Sequence, residues 1–236
     1  MVRCRRNIAQ MLKFKYDQIT AQNYSNNYLE SLKNFDHIAE NNLRPLLNPY
    51  YSNQRSRDQA WKNCKGELYE YAVFKCIESV ISSDQALKTR FSALLGLSVQ
   101  YRNQIAIRNW CDIYPDADIL IVDNQDRKGK AIISCKTSLR ERLTETAFWK
   151  RELERSQDTR DVKVIFITTD KDNELQQDVN RYIVQHVLDS VFITDPQKYT
   201  NLINHYKQKY ESQQDFDELL SKVKFIANFK EFLINL

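Results

Sequence analysis

Pro115-Asp116-Ala117-Asp118 introduces the short apolar run Ile119-Leu120-Ile121-Val122, and a second apolar run ends at Ser134-Cys135-Lys136. A polar segment separates the two runs. This order predicts a β-hairpin, because each run is long enough for one buried strand and the polar segment can reverse the chain. The start of the first strand of a hairpin lies beside the end of the second. Asp116 and Lys136 are therefore expected side by side.

An acid beside a lysine can carry out phosphodiester chemistry. A carboxylate oxygen can bind Mg²⁺, and a nearby cation can hold the attacking water against the phosphate. Taken singly, Asp116 is typical of a turn cap and Lys136 of a solvated strand end. The hairpin that joins them favours a functional pair. Asp118 shares the strand face of Asp116 by the two-residue period, so it is the alternative ligand.

The composition restricts the classes of function. The chain has 236 residues and a formal net charge of +4, a small excess that permits a polyanionic partner without requiring one. Only three glycines are present, so the chain has no glycine-rich loop of the kind that holds nucleotides. We therefore expect no nucleotide cofactor.

The cysteines and the hydropathy pattern bear on location. Five cysteines are scattered along the chain without a C-x-x-C pair, which is typical of free thiols in a reducing compartment. No run approaches the roughly 20 apolar residues of a membrane span, and the basic N-terminus lacks a following apolar stretch of signal-peptide length. These features predict a cytoplasmic protein with no membrane partner.

The N-terminal part of the chain predicts helices. Apolar residues recur at helical spacing from residue 5 to about residue 100. Pro45, Pro49 and the polar run that follows them interrupt this pattern as a loop. We therefore divide the chain into an N-terminal helical region, residues 1–55, expected to serve as a dimer or DNA-clasping element, and a core, residues 56–236.

Helical and strand patterns alternate after residue 136. A helix is predicted from about Leu139 to Arg155, with Thr137 or Ser138 as its cap. A strand, a helix, a second strand and further helices are predicted in turn, at residues 162–168, 174–188, 190–193 and beyond. This alternation predicts an α/β fold with a mixed central sheet flanked by helices.

The motifs resemble those of a known family. Pro115-Asp116 followed by Lys136 is similar to the pattern of PD-(D/E)-x-K nucleases, and Ser134-Cys135-Lys136 with Arg140-Glu141-Arg142 resembles type II restriction endonucleases that cut sites built on CCGG, the NgoMIV- and EcoRII-like subgroup. That subgroup has Ser two residues before the lysine and begins an Arg-acid-Arg triplet four residues after it. The resemblance covers about residues 60–155. It implies a restriction-endonuclease-like fold, a Mg²⁺ cofactor and double-stranded DNA as partner.

The resemblance also implies a metal-binding glutamate that the subgroup moves to the following helix. At the expected position, about thirteen or fourteen residues past the lysine, this chain has Trp149 and Lys150, which cannot bind magnesium. Glu145 and Glu152 lie about one helical turn to either side, on nearly the same helix face. Either can serve, or both can simply form ion pairs with neighbouring basic residues. Glu152 is preferred, because Glu145 is so close to the triplet that one side chain would serve both DNA groove and metal.

Two further residues join the expected catalytic set by the same resemblance. Ser134 stands where other PD-(D/E)-x-K nucleases have an acid. Glu70 matches an acid that the subgroup places near its metals, with Glu67 as the alternative.

The triplet Arg140-Glu141-Arg142 predicts contacts to DNA bases. Arginine can donate two hydrogen bonds to guanine N7 and O6, and glutamate can accept one from the amino group of cytosine in the major groove. A solvated charged helix face is the alternative, and the Ser-Cys-Lys stretch before the triplet weighs against it.

Together these features predict a Mg²⁺-dependent type II restriction endonuclease acting as a homodimer on a palindromic, G·C-containing site resembling CCGG. Two-fold symmetry suits a palindrome, because each subunit can then cut one strand. The alternatives are another PD-(D/E)-x-K nuclease for repair or junction resolution, and a non-catalytic DNA-binding protein.

Overall fold

A computed structural model describes residues 4–108, 110–139 and 141–236. The chain divides into two compact units, Met1–Ser79 and Val80–Leu236. The sequence-based division at residue 55 falls at the start of the long helix Gln54–Ser82 and stays a prediction. The role predicted for residues 1–55 stays a prediction.

The N-terminal unit is helical, as predicted. Its core contains the fully buried aromatic rings of Tyr16, Phe35 and Tyr69, with the last two in edge contact at 4.9 Å between ring centres. The prolines fall in a 3-10 helix rather than in an open loop. In chain order its elements are α1 (Arg6–Tyr24), α2 (Tyr28–Lys33), α3 (Phe35–His37), a π-helix (Ile38–Leu43), the 3-10 helix (Arg44–Tyr50) and α4 (Gln54–Ser82).

A disulfide joins Cys4 to Cys64 in the N-terminal unit. The sequence predicted free thiols, and for this pair that prediction is wrong. The two cysteines are 60 residues apart in sequence, so nothing in their spacing indicates that helix packing brings their Cα atoms within 4.7 Å. Cys76, Cys111 and Cys135 are not in disulfides.

The C-terminal unit is built on a six-stranded mixed sheet in the order β1-β2-β3-β4-β5-β6. The first three strands are antiparallel neighbours, and the last four run parallel. The bounds are β1 (Phe91–Leu95), β2 (Ile119–Asp123), β3 (Lys128–Lys136), β4 (Lys163–Thr168), β5 (Ser190–Ile193) and β6 (Val223–Phe225). Because β2 runs against β3, the start of β2 and the ends of β3, β4 and β5 meet at one edge of the sheet.

Helices flank this sheet. Leu143 of α7, Val184 of α8 and Leu202 of α9 join one hydrophobic core with the inward residues of β2 to β5. On the opposite face, Phe229 of α11 meets Phe192 at 5.0 Å between ring centres. The helices are α5 (Gln85–Arg90), α6 (Val99–Arg102), α7 (Arg142–Glu154), α8 (Asp178–His186), α9 (Pro196–Tyr210), α10 (Phe216–Lys222) and α11 (Phe229–Ile234).

The α/β fold class and the central hairpin are confirmed, with three local corrections. The region predicted as helical up to residue 100 contains β1, and the region predicted as C-terminal helices contains β6. α7 begins at Arg142 rather than near Leu139, and its N-cap residue Glu141 makes no side-chain cap bond, so Thr137 and Ser138 are not its cap. Within the described residues, no helix has the length and apolar character needed to cross a membrane.

Candidate active site

The edge of the sheet where β2 begins and β3 ends holds an acid and a lysine. Asp118 precedes β2, and its backbone N–H donates to the carbonyl of Ile133 at 2.9 Å, which extends the hairpin by one residue. The Asp118 carboxylate accepts the backbone N–H of Cys135 at 2.7 Å and lies 3.8 Å from the ammonium of Lys136. The hairpin thus brings together Lys136 and the acid that the sequence named as the alternative to Asp116.

The surroundings of Asp118 disfavour the negatively charged form of its carboxyl group. Burial raises the pKa of its carboxyl group, while the Lys136 ammonium and the Cys135 N–H act in the opposite direction. Because the Asp118 side chain is mostly buried, a bound divalent cation would offset the cost of removing its negative charge from water. Its environment therefore suits a metal ligand.

Asp116 has a different partner. Its carboxylate is half exposed and accepts a bond from the Arg142 guanidinium at 2.5 Å. The same guanidinium nitrogen lies 3.2 Å from Glu145 in the first turn of α7. Burial alone would lower the pKa of Arg142, but Asp116 and Glu145 raise it above its ordinary value. One residue of the predicted triplet thus joins the first strand of the hairpin to the helix.

The two candidate glutamates of α7 have different surroundings. Glu145 shares Arg142 with Asp116, so it faces the edge of the sheet. Glu152 pairs with Arg155 at 3.1 Å, three residues on along the chain. Seven residues at a rise of about 1.5 Å place Glu152 roughly 10 Å further along the helix axis.

At the helix position where the resemblance places a glutamate, Lys150 forms a buried ion pair. The Lys150 side chain is only 7% exposed and lies 2.8 Å from Asp189, which also accepts the backbone N–H of Val164 at 2.8 Å. Lys163 adds a second cation at 3.3 Å from Asp189. Lys150 is therefore a structural residue that ties α7 to β4 and the start of β5.

Ser134 lies next to Asp118 across the hairpin and on the same face of β3 as Lys136. It is buried, and its hydroxyl has no hydrogen-bond partner within the described part of the chain. An orphaned buried hydroxyl beside a carboxylate is an observation that fits a missing ligand.

The donor set fits a hard divalent cation, because carboxylate oxygens are the ligands that such ions prefer. Over the ranges that the structure describes, however, no three acidic, histidine or cysteine side chains already converge on one point. Arg142 lies between Asp116 and Glu145 instead.

The remaining predicted residues are placed as follows. Glu141 is exposed immediately before α7, and Arg142 is the first residue of that helix. Arg140 lies outside the described residues. Glu70 belongs to α4 in the N-terminal unit, and its role stays a prediction.

A second buried acid, Asp170, lies just beyond the end of β4. Burial raises the pKa of its carboxyl group to about 6, although the backbone N–H groups of Leu175 and Glu174 act in the opposite direction. The folded protein binds this proton more tightly than the unfolded chain does, so protonation of Asp170 stabilises the folded state. That stability is present below about pH 4 and is lost as the pH rises through 6.

We expect Asp170→Asn to stabilise the protein at pH 8 by about 1–3 kcal/mol, since asparagine keeps a carbonyl oxygen for the Leu175 N–H without a buried charge. Denaturant unfolding at pH 8 and pH 4 checks this. The difference between variant and parent should shrink at pH 4. An equal difference at both values would mean that burying the Asp170 charge costs nothing.

Comparison with known proteins places this geometry in context. The family model for the BsaWI type 2 restriction endonuclease matches residues 97–219, slightly more than half of the 236 residues. The matched span contains the hairpin, Lys136 and α7.

Two curated relatives are similar to parts of the chain. MjaVIP of Methanocaldococcus jannaschii, a candidate type II restriction enzyme, is 30% identical over 150 residues, covering 57% of this chain and 66% of that protein. HpyAORF263P of Helicobacter pylori, another candidate type II restriction enzyme, is 41% identical over 63 residues, covering 27% of this chain and 33% of that protein. The chain thus spans just under two thirds of the first relative's length and a third of the second's.

A solved structure is similar over nearly the whole chain. The restriction endonuclease PspGI in complex with substrate DNA matches with a TM-score of 0.65, covering 96% of this chain and 92% of that one. At 14% sequence identity this similarity concerns the fold alone.

Proposed function

Because this chain belongs to the BsaWI family of type 2 restriction endonucleases, we propose that it hydrolyses both strands of DNA at one specific sequence. The observation that carries the proposal is the mostly buried carboxylate of Asp118, which lies 3.8 Å from the Lys136 ammonium where β2 begins and β3 ends. This pair lies inside the part of the chain that matches the family.

The proposed main metal ligand is Asp118, with Glu145 and Asp116 as further ligands, and the proposed ion is Mg²⁺. The sequence favoured Asp116, with Asp118 as the alternative, and Glu152 over Glu145. The contacts support the other choice in each pair, because Asp118 is the acid beside Lys136 and Glu145 is the glutamate joined to Asp116 through Arg142. When bound there, Mg²⁺ would supply electrostatic stabilisation of the charge that develops on the phosphate.

Lys136 is placed to orient the attacking water. Its side chain is partly exposed, and its ammonium group lies 3.8 Å from Asp118. There it can donate a hydrogen bond to a water molecule and orient it in line with the scissile P–O bond. Ser134 lies on the same strand face as Lys136 and belongs to the proposed catalytic set.

The proposed element for sequence recognition is the triplet Arg140-Glu141-Arg142. Arg142, and Arg140 by the resemblance, would donate to guanine, and Glu141 would accept from cytosine. These pairings support a G·C-containing site resembling CCGG. A palindromic site favours a homodimer, since two-fold symmetry matches the two strands. A cytoplasmic location, where incoming DNA is met, is part of this proposal.

The test is a digest of mixed-sequence DNA with Mg²⁺, followed by sequencing of the fragment ends. We expect discrete fragments whose ends share one palindromic sequence. Nicks that follow DNA structure instead of sequence would indicate a repair or junction nuclease. Binding without any cleavage would indicate a non-catalytic protein.

We expect Glu145→Gln to lower the cleavage rate roughly a hundredfold, and Glu152→Gln to change it by less than about threefold. The reason is that only Glu145 is joined to Asp116. Cleavage rates at saturating Mg²⁺ check this, with Glu154→Gln as a control on the same helix. The reverse ranking would move the proposed metal site along α7.

A further inference from the structure

Residues 137–139, which follow Lys136, are held by hydrogen bonds, the first of them at Leu139. The backbone N–H of Leu139 donates to the Glu174 carboxylate at 2.6 Å, and its carbonyl accepts the backbone N–H of Arg142 at 2.8 Å. The Leu139 side chain is 1% exposed, within the hydrophobic core. Both backbone polar groups of Leu139 are thus hydrogen-bonded directly before the triplet.

A second pair of bonds holds the same segment two residues earlier. The carbonyl of Thr137 accepts the backbone N–H of Lys171 at 3.2 Å and the hydroxyl of Thr169 at 3.0 Å. Thr169, Lys171 and Glu174 all belong to the connection between β4 and α8. One connection therefore supports the segment at two points.

The supporting connection is itself firmly held. Asp170 accepts the backbone N–H of Leu175 at 3.3 Å, and the buried hydroxyl of Tyr206 donates to the Leu175 carbonyl at 2.7 Å. The Asn180 side chain donates to the Glu174 carbonyl at 2.8 Å. Glu174 is therefore anchored through its neighbours in the core of the C-terminal unit.

We propose that Glu174 is a positioning residue for sequence recognition, because it fixes the peptide from which the triplet extends. The inference rests on the proposed function. Base contacts in the major groove need side chains held to a fraction of an ångström, and a rigid peptide before the triplet supplies that precision. A carboxylate suits this task because its hydrogen bonds to N–H groups are stronger than those of neutral acceptors.

The test compares Glu174→Ala with Glu174→Gln. Affinities for the site identified by end sequencing and for random duplex are measured at one salt concentration. We expect alanine to lower the ratio of specific to random affinity roughly tenfold, because the Leu139 N–H loses its acceptor. Glutamine should restore most of the ratio, since its carbonyl oxygen can accept the same bond. An unchanged ratio in the alanine variant would overturn the proposal.

The matched control is Asp84→Ala. Asp84 also accepts backbone N–H groups, those of Ala86 at 2.9 Å and Leu87 at 3.2 Å, but at the start of α5. We expect this variant to keep the affinity ratio. An equal fall in both alanine variants would show a general loss of stability and overturn the positioning role.

Amide hydrogen exchange on the DNA-free protein gives a readout that does not depend on the proposed function. We expect the peptide containing Leu139 to exchange roughly tenfold faster in Glu174→Ala, while β4 exchanges as in the parent. Unchanged exchange at Leu139 would overturn the inference. A parent chain without a preferred DNA sequence would overturn the proposed function, and exchange would still report on the Glu174 bond.

Discussion

Lys136→Ala is expected to reduce DNA cleavage by roughly a thousandfold or more while leaving DNA binding largely intact. The Lys136 ammonium lies at the mouth of the site and is partly exposed, so its removal leaves no cavity in the core. Asp118→Asn is expected to reduce cleavage at least as much, because the amide keeps the Cys135 N–H bond but no longer offers a negative charge to a metal.

Two comparison variants and one folding check make this prediction specific. Lys163→Ala is the matched control, since Lys163 is also a strand lysine near a carboxylate, Asp189 at 3.3 Å, but at the opposite end of its strand. Comparing the cleavage rates of Asp116→Asn and Asp118→Asn shows which of the two candidate acids binds the metal. Cleavage lost with Asp116→Asn but kept with Asp118→Asn would return the metal site to the acid that the sequence favoured. Thermal unfolding of each variant confirms that the chain is folded.

The central strands could be predicted from the sequence because their signals are local. The hairpin is two apolar runs and a polar turn, and β5 is a short apolar run between polar residues. The strands β1 and β6 could not be predicted this way. Both lie at the edges of the sheet and are only partly buried, so they form because a neighbouring strand is available.

The residues of the site were predictable to a lesser degree. Sequence spacing gave Lys136 and two candidate acids, but the contact that distinguishes them depends on which carboxylate turns toward the lysine. α7 begins at Arg142, and Leu139 before it is bonded to Glu174, a residue distant in sequence. Asp189, the partner of Lys150, is equally distant. Such long-range polar contacts leave no periodic signal in a single sequence.

Arg142→Ala is expected to lower affinity for the specific site roughly 5- to 150-fold more than affinity for random DNA. A bidentate contact to guanine contributes about 1–3 kcal/mol of discrimination, whereas a phosphate contact contributes almost none. Arg142→Lys should not restore discrimination, because an ammonium group lacks the planar fork of donors. Both affinities must be measured at the same salt concentration, since phosphate contacts make binding salt-dependent.

The structure adds a condition to this prediction. In the DNA-free protein the Arg142 guanidinium is already bonded to Asp116 and close to Glu145, so it must leave at least one carboxylate to reach a base. Arg155→Ala is the matched control, because Arg155 also pairs with a glutamate of α7 but at its far end. Equal losses on specific and random DNA in Arg142→Ala would make Arg142 a phosphate contact. Fragment ends that share only A·T pairs would exclude the guanine contact, while the assignment of a nuclease, which depends on Asp118 and Lys136, would stand.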